Sequence, residues 1–224
     1  MNPAPADPHL DTTPPAPALT PDWASVAAEL IHARQTVLPK RLLDPGPDDA
    51  QWAAIVGAAA AAPDHGQLLP WRFIAVPAER RAALAEVFAQ ALQERDAAAT
   101  PEQVAQAREK ARRAPRLLLL VIDAGCGNPE IDLSERILSA GCAVQNMLLL
   151  ATAYGFGSAL TSGKALQSAR LRQLFGLRAH EHALCFVSFG TVLARRPGRV
   201  RPVLGDYLSS LGEPPEVASA LPDA

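Results

Sequence analysis

Residues 133–163 read LSERILSAGCAVQNMLLLATAYGFGSALTSG, which contains the longest apolar helical pattern of the chain and the strand pattern that follows it. From Leu133 to Tyr154 the apolar residues recur at helical spacing, and Gly155 follows as a typical helix C-cap. Residues 156–161 then predict a strand. Small side chains in the middle of the helix would let a second helix approach closely, inside the core or across a two-fold axis. These small residues are Ser139, Ala140, Gly141 and Ala143.

On both sides of this stretch, helical and extended patterns alternate. Helices are predicted at 21–34, from 47 to before 63, at 78–94, from 100 onward and at 165–175, and strands at 71–76, 117–122 and 184–192. Residues 117–122 are a continuous apolar run, which is typical of a strand covered on both faces. No internal repeat is present. The order of elements predicts an α+β sandwich with helices over a mixed sheet.

The two ends of the chain differ in composition from the middle. The first 21 of the 224 residues hold seven prolines together with alanine, threonine and aspartate. Such a composition removes backbone donors and buries little apolar area. Residues from Gly212 onward repeat that character. We therefore predict a disordered arm at 1–20, a single domain at 21–211 and a flexible tail at 212–224.

Composition also disfavours several classes of protein. A formal net charge of -2 gives no large basic surface, so nucleic acid is not an expected partner. The apolar runs fall short of the about 20 residues that cross a bilayer. The N-terminus lacks the charge and the apolar block of an export signal, so we expect a cytoplasmic protein without membrane partners. Three widely spaced cysteines, Cys126, Cys142 and Cys185, favour reduced thiols over disulfides or a zinc site.

Three segments carry residues that suggest ligand binding rather than a purely structural role. The first is Arg34-Gln35-Thr36, directly after the first predicted helix. Arginine offers a planar fork of donors to phosphate, so the segment could grip an anion. Taken alone, it is better explained as a solvated basic helix end that complements the helix dipole.

The second segment, 62–73, joins a helix to a strand. Proline at both ends fixes the loop, glycine frees its middle, and His65 and Gln67 supply donors that could hold a planar heterocycle by its edge. The alternative is an ordinary loop with a capping aspartate and a core tryptophan. Spacing alone favours that alternative for His65.

The third segment, 155–164, follows the long helix. It lacks the third glycine of a dinucleotide fingerprint and follows a helix, so it is not a Rossmann loop. Thr161, Ser162 and Gly163 could present backbone N–H groups and hydroxyls to a ligand. A polar turn that caps the next helix explains them equally well.

Motifs of other catalytic types are missing from the sequence. It has no P-loop, no metal-spaced His/Cys cluster and no Gly-x-Ser-x-Gly elbow. His180-Glu181-His182 precedes a predicted strand, where adjacent side chains point to opposite faces, and we interpret it as surface. No catalytic side chain and no metal ligand are therefore predicted.

Taken together and in order, the three segments resemble the signatures of the nitroreductase superfamily, in particular its small-subunit branch of NAD(P)H nitroreductases, over about residues 25–192. The resemblance implies a homodimer with a nitroreductase-like three-layer sandwich, in which helices flank a mixed, mainly antiparallel sheet. It also implies FMN as cofactor and NAD(P)H as transient co-substrate. The residues implied to bind FMN are Arg34, Gln35 and Thr36 at the phosphate and ribityl chain, His65 and Gln67 from the partner subunit, Thr161, Ser162 and Gly163 near the ring, and Arg199 at the phosphate.

Two positions depart from the family pattern. Many relatives have a glutamine where Leu69 stands and an arginine where Thr161 stands. Polar contacts around the flavin ring are therefore expected to be fewer or differently supplied.

The resemblance implies a ping-pong mechanism. NAD(P)H gives a hydride to the flavin, leaves, and is replaced by a small electron-poor acceptor such as a nitroaromatic, a quinone or an enone. The cofactor carries the difficult chemistry, so no protein nucleophile is needed. Two alternatives stay open: a non-redox sensor module that binds flavin or a nucleotide, and a flavin-free interaction protein in which the long helix dimerises.

Overall fold

A sheet of four strands between two layers of helices forms the body of the protein. The computed structural model describes residues 21–194 and 200–212. Its helices are α1 (Pro21–Ala33), α2 (Asp49–Gly57), α3 (Arg81–Arg95), α4 (Pro101–Lys110), α5 (Leu133–Ala153) and α6 (Ala169–Leu174). Its strands are β1 (Trp71–Ala75), β2 (Arg116–Asp123), β3 (Gly157–Thr161) and β4 (Glu181–Gly190).

The strands lie in the order β1-β2-β4-β3, and each neighbouring pair is antiparallel. A parallel bridge also joins Thr36, after α1, to Ser158 of β3. The sheet is therefore mixed but mainly antiparallel, and helices cover both of its faces. The predicted fold class is confirmed.

β2 explains why the sheet needs two helical layers. Its alternate side chains point to opposite faces, and both sets are buried. Leu118, Leu120 and Ile122 lie in a core with residues of α2 and α5. Leu117, Leu119 and Val121 lie in a second core with residues of α3 and α6. The continuous apolar run therefore has the structure expected of a strand covered on both faces.

α5 is the core helix of one layer. It is long and apolar enough to cross a membrane by length and composition, but half of that window is buried within the protein. Ala140, Ala143 and Met147 are fully buried and pack in the core formed with β2. This packing matches the small residues predicted for the middle of the helix.

Local sequence fixes the start of several helices. Asp48 and Gln51 form a reciprocal capping box before α2, and Thr100 and Gln103 form another before α4. Three helices predicted as continuous include a 3-10 turn, at 58–61, 78–80 and 164–167. The existence of these elements was predicted correctly, whereas their internal geometry depends on tertiary packing.

The chain divides into two compact units, the first ending at Val192 and the second beginning at Leu193. In the second unit the structure shows a short 3-10 turn, Leu204–Asp206. The predicted single domain at 21–211 stays a prediction. The predicted arm at 1–20, the predicted tail from 213 onward and Arg199 lie outside the described residues.

Candidate functional site

The first and third segments meet along β3. Thr36 forms the parallel bridge with Ser158, and the Val37 N–H donates to the Ser158 carbonyl at 2.9 Å. Thr161 ends the same strand, and Ser162 and Gly163 follow it, both exposed. Backbone pairing therefore brings the predicted anion grip, Arg34-Gln35-Thr36, to the same sheet edge as the predicted ring contacts.

Arg34 and Gln35 are half-buried, whereas Thr36 is exposed. The Arg34 N–H donates to the carbonyl of Leu30, which continues the hydrogen bonding of α1 beyond its last residue. The Arg34 backbone is thus fixed at a helix end, two residues before the bridge to β3. This position suits a side chain that binds an anion at the edge of the sheet.

The second segment lies before β1, in a strained loop. The backbone φ angle is 52° at Gln67 and 47° at Leu69, both in the left-handed region that disfavours residues with a side chain. The Leu69 N–H donates to the Asp64 carboxylate at 2.6 Å, and the Gln67 N–H donates to the Asp64 carbonyl at 3.2 Å. Such strain persists only where surrounding contacts hold it, and it concentrates at functional sites.

Side-chain contacts hold this loop against α5 and against the loop that contains Gly127. His65 Nδ1 lies 2.7 Å from the Glu135 carboxylate at the start of α5. Leu68 packs against Gly127, where an added Cβ would lie 2.1 Å from the leucine Cδ2. The Trp71 indole donates to the buried Ser139 hydroxyl at 3.1 Å. The loop is therefore held in position, with Leu69 left 62% exposed.

Within one chain, the second segment does not meet the other two. β1 and β3 are the two outer strands of the sheet, with β2 and β4 between them. Three strand spacings of about 4.8 Å place these edges roughly 14 Å apart. His65 and Gln67 therefore belong to a different edge from Arg34, Thr161 and Ser162.

A cleft of about 510 Å³ opens beside the third segment. One side is formed by the segment 161–166 and by Leu38 and Pro39, which follow the first segment. The other side is formed by α3 and α4, and the floor includes Leu117, Phe186 and Ser188 of the sheet. The volume is in the range of small-molecule and cofactor sites.

The cleft also contains polar residues that the sequence did not single out. Its lining includes the amides Gln103 and Gln106 and four cations, which are Arg95, Lys110, Arg113 and Lys164. These residues come from α3, from α4 and the turn that follows it, and from the 3-10 turn after β3. The segments that carry them have the sequence pattern of ordinary polar surface, so no local pattern predicted that these residues line a site. Only the packing of α3 and α4 over the sheet brings them together.

One interpretation from the sequence was wrong. Glu181, predicted to be surface, is fully buried. Its carboxylate accepts hydrogen bonds from the Arg72 guanidinium at 2.7 and 3.1 Å and from the Arg178 side chain at 2.9 Å. The Arg72 hydrogen bond is the main reason that the pKa of Glu181 lies well below its usual range. His180 and His182 are exposed, so the alternation expected of a strand holds and the buried face belongs to Glu181.

Fold and cleft together define an α+β protein with a cleft of the size of small-molecule sites. A model of the nitroreductase family matches residues 31–191. "Putative NAD(P)H nitroreductase YdjA" of Escherichia coli (strain K12) is 34% identical over 168 residues, which are 74% of this chain and 87% of that protein. The chain therefore belongs to the nitroreductase family of oxidoreductases, and the family predicted from the sequence is confirmed.

Solved structures agree with this fold. A nitroreductase-like family protein from Bacillus cereus superposes with a TM-score of 0.69 at 17% identity, covering 83% of this chain and 96% of the other. A variant of NfnB, an FMN and NADPH-dependent nitroreductase from sphigopyxis sp. strain HMH, gives a TM-score of 0.66 at 23% identity, covering 84% of this chain and 99% of the other. The three-layer arrangement is thus shared with enzymes of this class.

Proposed function

We propose that the protein is an FMN-dependent oxidoreductase that transfers a hydride from NAD(P)H, through the flavin, to a small electron-poor acceptor. The observation that carries the proposal is the backbone bridge between Thr36 and Ser158, which brings the first segment to β3, the strand that leads into the cleft-lining third segment. Membership of the nitroreductase family supports the same chemistry. The acceptor is proposed to be a nitroaromatic, a quinone or an enone, and the location to be cytoplasmic.

The described residues fit FMN in charge and shape. A flavin needs an apolar wall for its ring, polar groups at the ring edge and cations for its phosphate. Phe88, Leu92 and Phe186 supply apolar surface to the cleft, and Thr161 and Ser162 supply polar groups at its edge. Arg34 and Thr36 are proposed to hold the phosphate and Gln35 the ribityl chain, with Arg199 as a further contact.

A second copy of the chain is proposed to complete the site. α1 packs against α5, and both present apolar side chains to solvent. Trp23 is 64% exposed, Val26 55% and Leu138 69%. Gly141 lies on the exposed side of α5, and a Cβ added there would meet nothing within 4 Å. An exposed apolar stripe with a glycine that its own chain does not require favours a helix from a partner.

Dimerisation also accounts for the separation of the segments. His65 and Gln67 lie on the β1 edge and cannot reach the cleft of their own chain across two intervening strands. A two-fold axis near α5 would bring the β1-edge loop of one chain to the β3-edge cleft of the other, because His65 is anchored to α5 through Glu135. We therefore propose that each flavin lies between two subunits.

Bound FMN supplies the redox chemistry by accepting a hydride from one substrate and giving it to the next. The chain's own residues bind and orient. Backbone donors around Ser162 and Gly163 are proposed to stabilise negative charge that develops on the reduced ring. α3 and α4 form one side of the cleft. Ping-pong exchange is proposed because the nicotinamide and the acceptor would have to use the same cleft in turn.

Absorbance spectroscopy tests the proposal directly. The purified protein is expected to show a flavin spectrum that bleaches on anaerobic titration with NADH or NADPH, and to recover on addition of a quinone. A yellow protein that neither nicotinamide bleaches would instead indicate the sensor module. A colourless protein that does not respond to added FMN would indicate the interaction protein.

A further inference from the structure

Leu69 combines two features that seldom occur in one residue. Its side chain is 62% exposed, and its backbone φ angle of 47° lies in the left-handed region. A single exposed leucine is ordinary on a protein surface. A bulky side chain in the left-handed region is an outlier that costs stability, and glycine would adopt the same backbone without that cost. The backbone therefore favours glycine here, and the exposed leucine adds little packing to its own chain.

The backbone on both sides of Leu69 is held in place. The Leu69 N–H donates to the Asp64 carboxylate at 2.6 Å. The carbonyl of Pro70, the next residue, accepts a hydrogen bond from the Asp123 N–H at 2.8 Å. The exposed leucine is thus presented by an anchored loop, so little conformational entropy would be lost when it contacts a ligand.

Leu69 is the apolar residue of a loop that the proposed function places at the partner's flavin. His65 and Gln67, which are assigned to that flavin, are polar and exposed. Within the described part of the chain, none of the loop residues 64–69 lines the cleft of its own chain. In the proposed dimer, the same loop would therefore bring Leu69 to the partner's cleft, where α3 and β4 supply apolar surface.

We infer that Leu69 determines acceptor specificity: it contacts the acceptor in the partner's cleft and selects acceptors that carry an uncharged, apolar substituent. This inference rests on the proposed function and names its substrate class. An apolar side chain stabilises an apolar substituent by covering it, whereas a polar substituent covered in the same way loses its hydrogen bonds to water. A role for Leu69 in the contact between the two chains alone is the competing outcome of the test.

Two variants of similar shape separate the polarity of the side chain from the backbone strain. Leu69→Met and Leu69→Gln place unbranched side chains of nearly equal volume on the same left-handed backbone, and only glutamine is polar. The full-length holoenzymes are compared with propyl 4-nitrobenzoate and with 2-hydroxyethyl 4-nitrobenzoate. These esters share one nitroaromatic ring and differ by a methyl group in place of a hydroxyl group.

The preference for the propyl ester is expected to fall about fourfold in Leu69→Gln, which corresponds to the loss of contact with about one methyl group. It should fall by less than about twofold in Leu69→Met. The preference is measured as kcat/KM and as the Kd of each ester for the oxidised enzyme, by calorimetry. A fall of equal size in both variants, or in neither, would overturn the inference. So would a weaker dimer with an unchanged preference, because Leu69 would then serve only the contact between chains.

A mixed dimer tests which chain's cleft Leu69 serves. When one Arg34→Ala chain and one Leu69→Gln chain are purified together through different affinity tags, only the cleft that retains Arg34 is expected to hold FMN. In the proposed arrangement that cleft receives the unaltered Leu69 of the partner, so the mixed dimer should keep the wild-type preference for the propyl ester. Loss of the preference would assign Leu69 to the cleft of its own chain and overturn the inference.

Failure of the proposed function would give different results. A wild-type protein without flavin would refute that function, whereas a flavoenzyme that NADH or NADPH reduces, with no difference between Leu69→Met and Leu69→Gln, would refute the inference alone. FMN retained by a dimer of two Arg34→Ala chains would refute the assignment of the phosphate, and the comparison of the methionine and glutamine variants would then decide the role of Leu69 by itself.

Discussion

The two edges of the sheet are built by different means. At the β3 edge, backbone hydrogen bonding joins Thr36 and Val37 to Ser158, so the first and third segments are parts of one extended sheet. At the β1 edge, the loop before Trp71 is held by side chains, including the exposed pair of His65 and Glu135. Backbone pairing tolerates substitution, whereas side-chain anchoring can be removed one residue at a time.

This difference indicates how the proposed site is divided. The β3 edge carries its cleft within a single chain. The β1 edge carries a strained, partly exposed loop, and no residue of that loop lines the cleft. Each edge supplies what the other lacks, and two chains related by a two-fold axis would bring them together.

Preventing dimer formation should have the largest effect, because it would separate the β1-edge loop of one chain from the β3-edge cleft of the other. Gly141→Leu places a bulky side chain on the exposed side of α5, where the chain itself leaves open space. The variant is expected to remain folded but monomeric, and to lose FMN because the partner's loop is absent. Light scattering and flavin absorbance measure both properties. Gly141→Ala, which adds one methyl group, should weaken assembly much less. A wild-type monomer that retains FMN would refute the two-chain site.

Detaching the β1 edge from its neighbours should have the next largest effect. Glu181→Gln removes the buried carboxylate that binds Arg72 of β1 and Arg178. Loss of these charged hydrogen bonds should lower the free energy of unfolding by roughly 2–4 kcal/mol at pH 7. Glu109→Gln, which breaks an exposed pair with Arg113, is the matched control and should cost about 0.5 kcal/mol or less.

The same pair predicts a pH dependence. Arg72 lowers the pKa of Glu181 in the folded protein, so the stabilisation is complete above the carboxyl's ordinary value of about 4.3. It is lost as the pH falls from there toward the lower folded pKa. Urea unfolding at several pH values should therefore show the gap between wild type and Glu181→Gln narrowing in acid. A constant gap would contradict the assignment.

Removing the anion grip should affect the β3 edge alone. Arg34→Ala is expected to weaken FMN binding by about 10- to 150-fold, since a charged hydrogen bond contributes about 1.5–3 kcal/mol. The dimer should be unaffected. Flavin fluorescence after dialysis measures the change, and Arg80→Ala is the control. If FMN occupancy is unchanged in this variant, Arg34 does not bind the phosphate, and other cations must do so.

The smallest effect is expected from the exposed anchor of the β1 loop. His65→Ala should change folding stability by at most about 1 kcal/mol, because both side chains of the pair with Glu135 are largely solvated. A reduction in FMN affinity would nevertheless show that His65 reaches the partner's flavin. Glu135→Gln breaks the same pair and keeps the histidine, so equal losses in both variants would assign the effect to the pair.

The local sequence pattern predicted the structure correctly where neighbouring residues of an element are all buried. The apolar run of β2 and the small residues of α5 predicted a doubly covered strand and a closely packed helix, and both are present. Pattern failed at Glu181, because an isolated acid before a strand gives no sign that two arginines, one of them 109 residues away, will bind it. The assigned roles of the site residues, including Arg34 and Gln67, stay predictions.

Sequence alone determined the family, the order of elements and which strand is buried, since hydrophobic periodicity and short motifs are local properties of the chain. Tertiary structure decided which segments share an edge and which cations line the cleft. Those outcomes depend on strand order and on the packing of α3 and α4 over the sheet. Contacts between residues far apart in the chain have no local signal, so only the folded arrangement could show that two motifs meet while the third lies across the sheet.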